Sequence, residues 1–252
     1  MNLQFDKSAP LATRTLGLAL LCLATLALGA PADGQAVGLD ERRQTGSAEE
    51  VWSSAMALIR VPVSRYREGH MRHFTEHCTA IAVTPGPRAL YLSAWHCFDG
   101  YSHTLGQIEM VLRGQAMSMT LLSSGGSMAE DWAILRATDT DYVPPTWVPV
   151  LGEQLSARQS LMAAGFGTPP DTENASAARR LLFDPDCTLA ESEGRPHATN
   201  CVARKGSSGG AILARTASGS PRLAGIISAG DGSHLSFFYP ASVLSNRLRV
   251  LR

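Results

Sequence analysis

Charge of either sign is scarce and neither sign dominates: 22 Lys+Arg stand against 22 Asp+Glu, and charged residues make up 17% of the 252. A nucleic-acid binder neutralises phosphates with surplus Lys and Arg, so a general polyanion partner is excluded. Aromatic residues are few, at 6%, yet 44% of the chain is hydrophobic. That is enough apolar surface to bury a core, which excludes a disordered polyelectrolyte and a scaffold held by disulfides alone. No fixed period orders the 23 Gly and 14 Pro, so the chain is not collagen-like. There is no Cys-x-x-Cys, no zinc-type Cys/His quartet and no His-Glu-x-x-His. Structural zinc and the zinc-protease arrangement find no pattern here.

Long apolar runs are also missing. The longest, Leu16 to Leu28 (LGLALLCLATLAL), is shorter than the ~20 residues of a bilayer-spanning helix. Lys7 and Arg14 precede it and Ala30-Pro31-Ala32 follows, so residues 1–32 read as a cleaved secretory signal, with an uncleaved anchor as the alternative. Cys22 follows Leu21 rather than a small residue, which disfavours lipid attachment. The expectation is a secreted or periplasmic protein with no stable membrane anchor after signal removal. Cys78, Cys97, Cys187 and Cys201 then remain, an even number suited to two disulfides with three possible connectivities. Residues 33–50 hold few large apolar side chains and read as a flexible leader or pro-segment.

From Val51 onward the apolar residues come in short runs parted by Gly, Pro, Asp and Ser, among them CTAIAV, ALYLSAW, WAILRA, GGAILA and LAGIIS. Each is about strand length, and no long amphipathic helix alternates with them, so the pattern is all-β. Pro144-Pro145 through Gly152 divides two β units, 51–150 and 151–252. The chain should end in a helix capped by Ser242, with Val243 or Leu244, Leu248 and Leu251 on one face.

Three patterns occur in order: Ser93-Ala94-Trp95-His96-Cys97, Asp131-Trp132-Ala133-Ile134-Leu135 and Gly206-Ser207-Ser208-Gly209-Gly210. A serine hydroxyl becomes a useful nucleophile when a neutral imidazole takes its proton, and a buried carboxylate holds that imidazole in the right tautomer. His96, Asp131 and Ser208 suit base, orienter and nucleophile. The backbone N–H groups of Gly206 and Ser208, in a glycine-rich loop, suit an oxyanion hole. Ser207 is the other candidate nucleophile, and Asp139 and Asp141 lie near Asp131.

In these motifs the chain resembles the chymotrypsin-like (trypsin-fold) serine proteases from about Val51 to Arg252, including Gly165-Phe166-Gly167-Thr168 and Leu223 to Gly230. The resemblance implies two antiparallel β-barrels with a short C-terminal helix, a peptide or protein substrate, no cofactor and a monomer. It implies a Cys78–Cys97 bridge pinning the histidine loop, and with it Cys187–Cys201. It also implies substrate binding along Ser228, Ala229 and Gly230, and a pocket at Val202, six residues before Ser208. No acid lies between Asn200 and Ser208, so small or apolar side chains are the expected preference over Lys or Arg. Two departures bring the chain closer to bacterial and V8-like members: Ser207 stands where animal enzymes carry an aspartate, and no Arg/Lys-Ile-Val-Gly activation site precedes Val51.

Other readings remain open. A catalytically silent homologue would bind peptides on the same scaffold, and an esterase would use the same groups on esters. His70, His73 and His77, next to Cys78, would share a face if helical and could then hold a metal, although the expected site has none. Asn174-Ala175-Ser176 is a glycosylation sequon.

Overall fold

Ile108, Met110 and Leu112 are buried while Glu109 and Val111 between them are less so, the period-two signature of a strand with one face on a core. In the computed structural model, which describes residues 44–45, 51–139, 141–169, 179–191, 194–216 and 219–252, there are thirteen strands, of which Leu90–Ser93 and most of Ala211–Arg215 are buried on both faces. Residues 1–32, most of the 33–50 stretch and the sequon lie outside the described residues. Within that stretch, Gln44–Thr45 (β1) forms a two-residue strand.

The first barrel comprises Met56–Arg67 (β2), His70–Ala82 (β3), Leu90–Ser93 (β4), Ile108–Leu112 (β5), Gln115–Ser124 (β6) and Ala133–Ala137 (β7). It closes in the order β2-β3-β4-β7-β6-β5. The second comprises Ser160–Gly167 (β8), Arg180–Glu191 (β9), His197–Thr199 (β10), Ala211–Arg215 (β11), Pro221–Gly230 (β12) and Ser236–Pro240 (β13). Its order is β9-β10-β13-β12-β11-β8, closed by pairing of β8 with β9, while β1 adds to β9. The fold is thus two closed six-stranded antiparallel barrels with a short helix, Ser245–Leu251 (α1), at the end.

Alternation along β11 divides the core. Ile212 and Ala214 point into the second barrel with Leu161, Ile227 and Phe238. Ala211 and Leu213 point the other way, into a cluster continuous with the first barrel's Ile59, Ile81, Leu92 and Ile134. The barrels therefore share buried apolar surface, the main attraction holding them face to face. Helix α1 crosses back onto the first barrel: Leu248 is buried, Arg247 lies over the Trp132 ring at 4.9 Å, and Arg136 donates to the Leu251 carbonyl. It begins two residues later than the sequence implies, with Leu244 rather than Ser242 at the cap position. Ala241–Leu244 forms a 3-10 turn first, and the Ser242 carbonyl accepts from Ser245 Oγ rather than its hydroxyl capping the helix. Among the described residues no helix is long and apolar enough to cross a membrane.

Candidate active site

Antiparallel pairing of β4 with β7 puts Ser93 opposite Ala133. The residues leaving β4 and those entering β7 are consequently neighbours, which brings His96 to Asp131 across 35 positions of sequence. His96 lies in a 3-10 turn, Trp95–Cys97. Its Nδ1 is 2.8 Å from Asp131 Oδ2, and its backbone N–H donates to Asp131 Oδ1 at 2.9 Å. A third donor arrives from the second barrel, Ser228 Oγ, at 2.5 Å from Asp131 Oδ2. Asp131 is only 1% exposed, so these bonds replace the water that a buried carboxylate loses. With Nδ1–H directed at the carboxylate, Nε2 is left as the basic nitrogen. Asp139 and Asp141 are exposed in the turn after β7, away from this contact.

Two further devices hold the histidine turn. Cys78 on β3 is bonded to Cys97. Arg65 on β2 donates to the carbonyls of His96 at 2.6 Å and Asp99 at 2.8 Å while pairing with Glu76 at 2.9 Å. Neither Arg65 nor Thr79, described next, carries a motif that sequence reading could find.

The Ser208 loop joins β10 to β11. Ser207 is fully buried, whereas Ser208 is partly exposed on a cavity. Gly206 and Gly209 have φ of +96° and +76°, where a side chain is strained. At Gly209 the space is closed as well, since a β-carbon would overlap Ser93 Oγ and the Thr79 carbonyl and lie 2.9 Å from Ala94 N. The loop thus packs directly on the strand that leads to His96. Thr79 joins the two: its N–H donates to the Ser208 carbonyl at 2.8 Å and its Oγ1 to the Gly206 carbonyl at 3.1 Å. The same Oγ1 accepts from Phe166 N at 2.8 Å, and the Thr79 carbonyl accepts from Ser93 Oγ at 2.7 Å. The Lys205 carbonyl accepts from Thr168 N–H at 3.2 Å. Because the peptide is planar and trans, this directs the Gly206 N–H to the opposite side. Among the described residues Ser208 Oγ makes no hydrogen bond. Contacts between nucleophile and base are commonly long before substrate binds.

The cavity beside Ser208, about 390 Å³, is lined by residues 203–205 and 229–232 with Ser208 and Ile227. Of the residues expected to bind substrate, Val202 and Ser228 are not among those lining this cavity. Val202 is buried in the barrel with its N–H on Asp184 Oδ2 at 2.8 Å, because the Cys187–Cys201 disulfide holds that stretch inside. Ser228 is turned to Asp131, so only Ala229 and Gly230 of that trio line the cavity. Asp231 accepts from the backbone N–H groups of Ser233, His234 and Leu235, which hold its carboxyl far below the usual range and bind it into the turn.

The histidine cluster does not assemble. His70, His73 and His77 lie on a strand, where His70 faces opposite to the other two. Cys78, His96 and Cys97 do come together, but both sulfurs are joined in the disulfide and cannot serve as thiolate ligands.

No protein-family model and no curated protein matches the sequence. Among solved structures, the active form of the Rv3671c protease from M. tuberculosis is similar, with a TM-score of 0.56 at 13% identity over 79% of this chain and 81% of that one. An inactive form of Rv3671c from M. tuberculosis H37Rv, a serine-to-alanine mutant, gives 0.52 at 12% identity over 79% and 87%. At such identity the likeness carries the two-barrel fold alone.

Proposed function

We propose that the chain is a secreted serine endopeptidase working through an acyl-enzyme on Ser208. The observation that carries this reading is the buried Asp131 carboxylate holding His96 by both Nδ1 and backbone N–H, on a turn packed against the Ser208 loop. Burying a carboxylate beside an imidazole is unfavourable unless the pair is well bonded, and here the carboxylate accepts from His96 at two points and from Ser228.

In this mechanism His96 Nε2 takes the Ser208 Oγ proton as Oγ attacks the scissile carbonyl carbon, and Asp131 stabilises the imidazolium. The Gly206 and Ser208 N–H groups donate to the tetrahedral oxyanion. His96 then gives its proton to the leaving amine as the C–N bond breaks, and the acyl group remains on Oγ. Water enters, His96 removes its proton as it attacks the ester, and the returning proton restores Ser208 as the acid product leaves. The acyl-side residue enters the cavity beside Ala229 and Gly230, and a preference for small or apolar side chains rests on the lack of an acid between Asn200 and Ser208. We also propose residues 1–32 as the signal, a monomeric two-barrel enzyme over 51–150 and 151–252, and, from Ser207, kinship with bacterial and V8-like members rather than animal zymogens.

A fluorophosphonate probe tests this. Covalent labelling that disappears in Ser208→Ala is the expected result, and no labelling of a folded wild-type protein overturns it. The rival reading, a silent peptide-binding homologue, draws on the missing hydrogen bond at Ser208 Oγ, and the same probe decides between them.

A further inference from the structure

A guanidinium from outside the Lys205–Ser208 loop lies against it. Arg179, half-buried just before β9, donates from Nη1 to the Lys205 carbonyl at 3.0 Å and reaches Thr168 Oγ1 at 3.5 Å. It covers the open face of Gly206: a β-carbon built there would collide with Nη1 and lie 2.8 Å from the Phe166 carbonyl. His77 stands nearby on β3. Burial first, then the charges of Arg179 and Arg60, lower its affinity for a proton, so it adds no repulsive or attractive charge near neutrality.

Only Nη1 is used in these contacts. The Nε–Nη2 edge of Arg179 donates to no described residue, and no described carboxylate pairs with it. Glu76, the acid whose charge it feels, is bonded to Arg65. A planar fork of two N–H donors, partly removed from water and left without an anion, matches a carboxylate in bidentate geometry. The acyl half of a peptide occupies the cavity and the Ala229–Gly230 edge. Arg179 contacts the same loop at Lys205 and Gly206 but is not among the residues lining that cavity.

Resting on the hydrolytic reading of Ser208, we infer that Arg179 forms a carboxylate subsite on the leaving-group side, so that peptides with an anion one or two residues beyond the cut are preferred. The anion can be an Asp or Glu side chain or the terminus of a short leaving fragment. Both present the same carboxylate.

The test uses peptides identical on the acyl side that carry Asp, Asn, Glu, Gln or Lys at the first or second position after the cut, each as free acid and C-terminal amide. The readout is the ratio of kcat/KM between acidic and neutral partners within one enzyme. That ratio cancels any effect of Arg179 on the Lys205–Gly206 peptide it also clamps. The wild type should favour the acid by about tenfold, equivalent to about 1.4 kcal/mol. Arg179→Met should bring the ratio near one, and Arg179→Glu should favour Lys. A preference confined to free-acid peptides assigns the carboxylate to the chain terminus. A wild-type ratio near one, or one unchanged in both variants, overturns the inference. Binding of the same peptides to Ser208→Ala and Ser208→Ala/Arg179→Met, followed by fluorescence anisotropy, reads the subsite without turnover. If no peptide is cut and no probe reacts, the hydrolytic reading fails, and the anisotropy ratio still decides whether Arg179 selects a carboxylate.

Discussion

The two halves of the site are held by different kinds of bond. Around His96, side chains from both barrels, the imidazole and the Ser228 hydroxyl, converge on one carboxylate, while the Arg65 guanidinium holds the turn through the His96 carbonyl. Around Ser208 few side chains reach the loop, Arg179 on the Lys205 carbonyl among them. Carbonyls and N–H groups make the contacts, glycines supply the close approach, and one threonine bridges to the other half. Isosteric replacement can therefore dissect the first half atom by atom, while the second yields only to crowding or to loss of the bridging hydroxyl.

The largest expected effect breaks the histidine half alone. Asp131→Asn keeps the shape but favours the wrong imidazole tautomer, so kcat/KM on a peptide should fall by about 10⁴ while the melting temperature stays close to wild type. An equal fall in stability and activity would mean that Asp131 is structural. Next, Gly209→Ala crowds the serine half at a position with φ of +76°. Stability should drop by about 2 kcal/mol in urea titration, with activity falling in parallel, because the methyl pushes the loop off Ser93 and Thr79. A neutral substitution would show that the loop has room to shift.

Thr79 sharpens the comparison, since it belongs to both halves. Thr79→Val keeps the volume but leaves the Gly206 carbonyl and Phe166 N–H without that partner. The expected outcome is a fall in kcat of about tenfold with KM little changed, an effect smaller than deleting an oxyanion donor outright. Thr79→Ser should recover most of it. A KM effect instead, or no rescue by serine, would assign Thr79 to packing.

The smallest effect concerns the residue before Asp131. Glu130 accepts from Tyr239 OH at 2.5 Å and from the Trp132 indole N–H at 3.1 Å, and pairs with Arg195 at 3.2 Å, tying the aspartate loop to the second barrel. The tyrosine hydroxyl above all, then the indole, hold its carboxyl below the ordinary value of 4.5. A lowered carboxylate pKa means that the unfolded chain takes up the proton first as pH falls. The stabilisation is complete above the ordinary value and disappears as pH drops through the folded one. The Glu130 side chain is 43% exposed, so the contribution is below about 1 kcal/mol. Glu130→Gln should lower stability slightly at pH 7 and flatten its decline between pH 5 and pH 3 in urea melts, and an unchanged acid limb would refute the coupling.

The strands, the all-β class and the triad candidates were legible because each depends on residues close in sequence. Alternation marks a strand within five residues, and a glycine-rich loop announces itself. Ser228 was visible only as part of a strand resembling a substrate edge, and its bond to Asp131 spans 97 positions. Counting six residues back from Ser208 reached Val202, but the disulfide at Cys201 and the bond to Asp184 draw that residue into the barrel interior. The cavity wall begins one residue later. Thr79 is one threonine on a strand, with no signal of its own. Its contact with Gly206 lies 127 positions away.

Local chemistry alone determined that this chain builds short strands, two disulfides' worth of cysteine and a histidine, an aspartate and a serine in suitable settings, because backbone preference and hydrophobic period act over a few residues. Only the packing of the barrels decided that Ser207 is buried while Ser208 meets the cavity, that Thr79 carries the serine loop, and that Arg179 covers Gly206 with one edge of its fork still open. These are contacts between distant segments, whose geometry comes from how two closed barrels share one apolar face, and no short-range pattern encodes it.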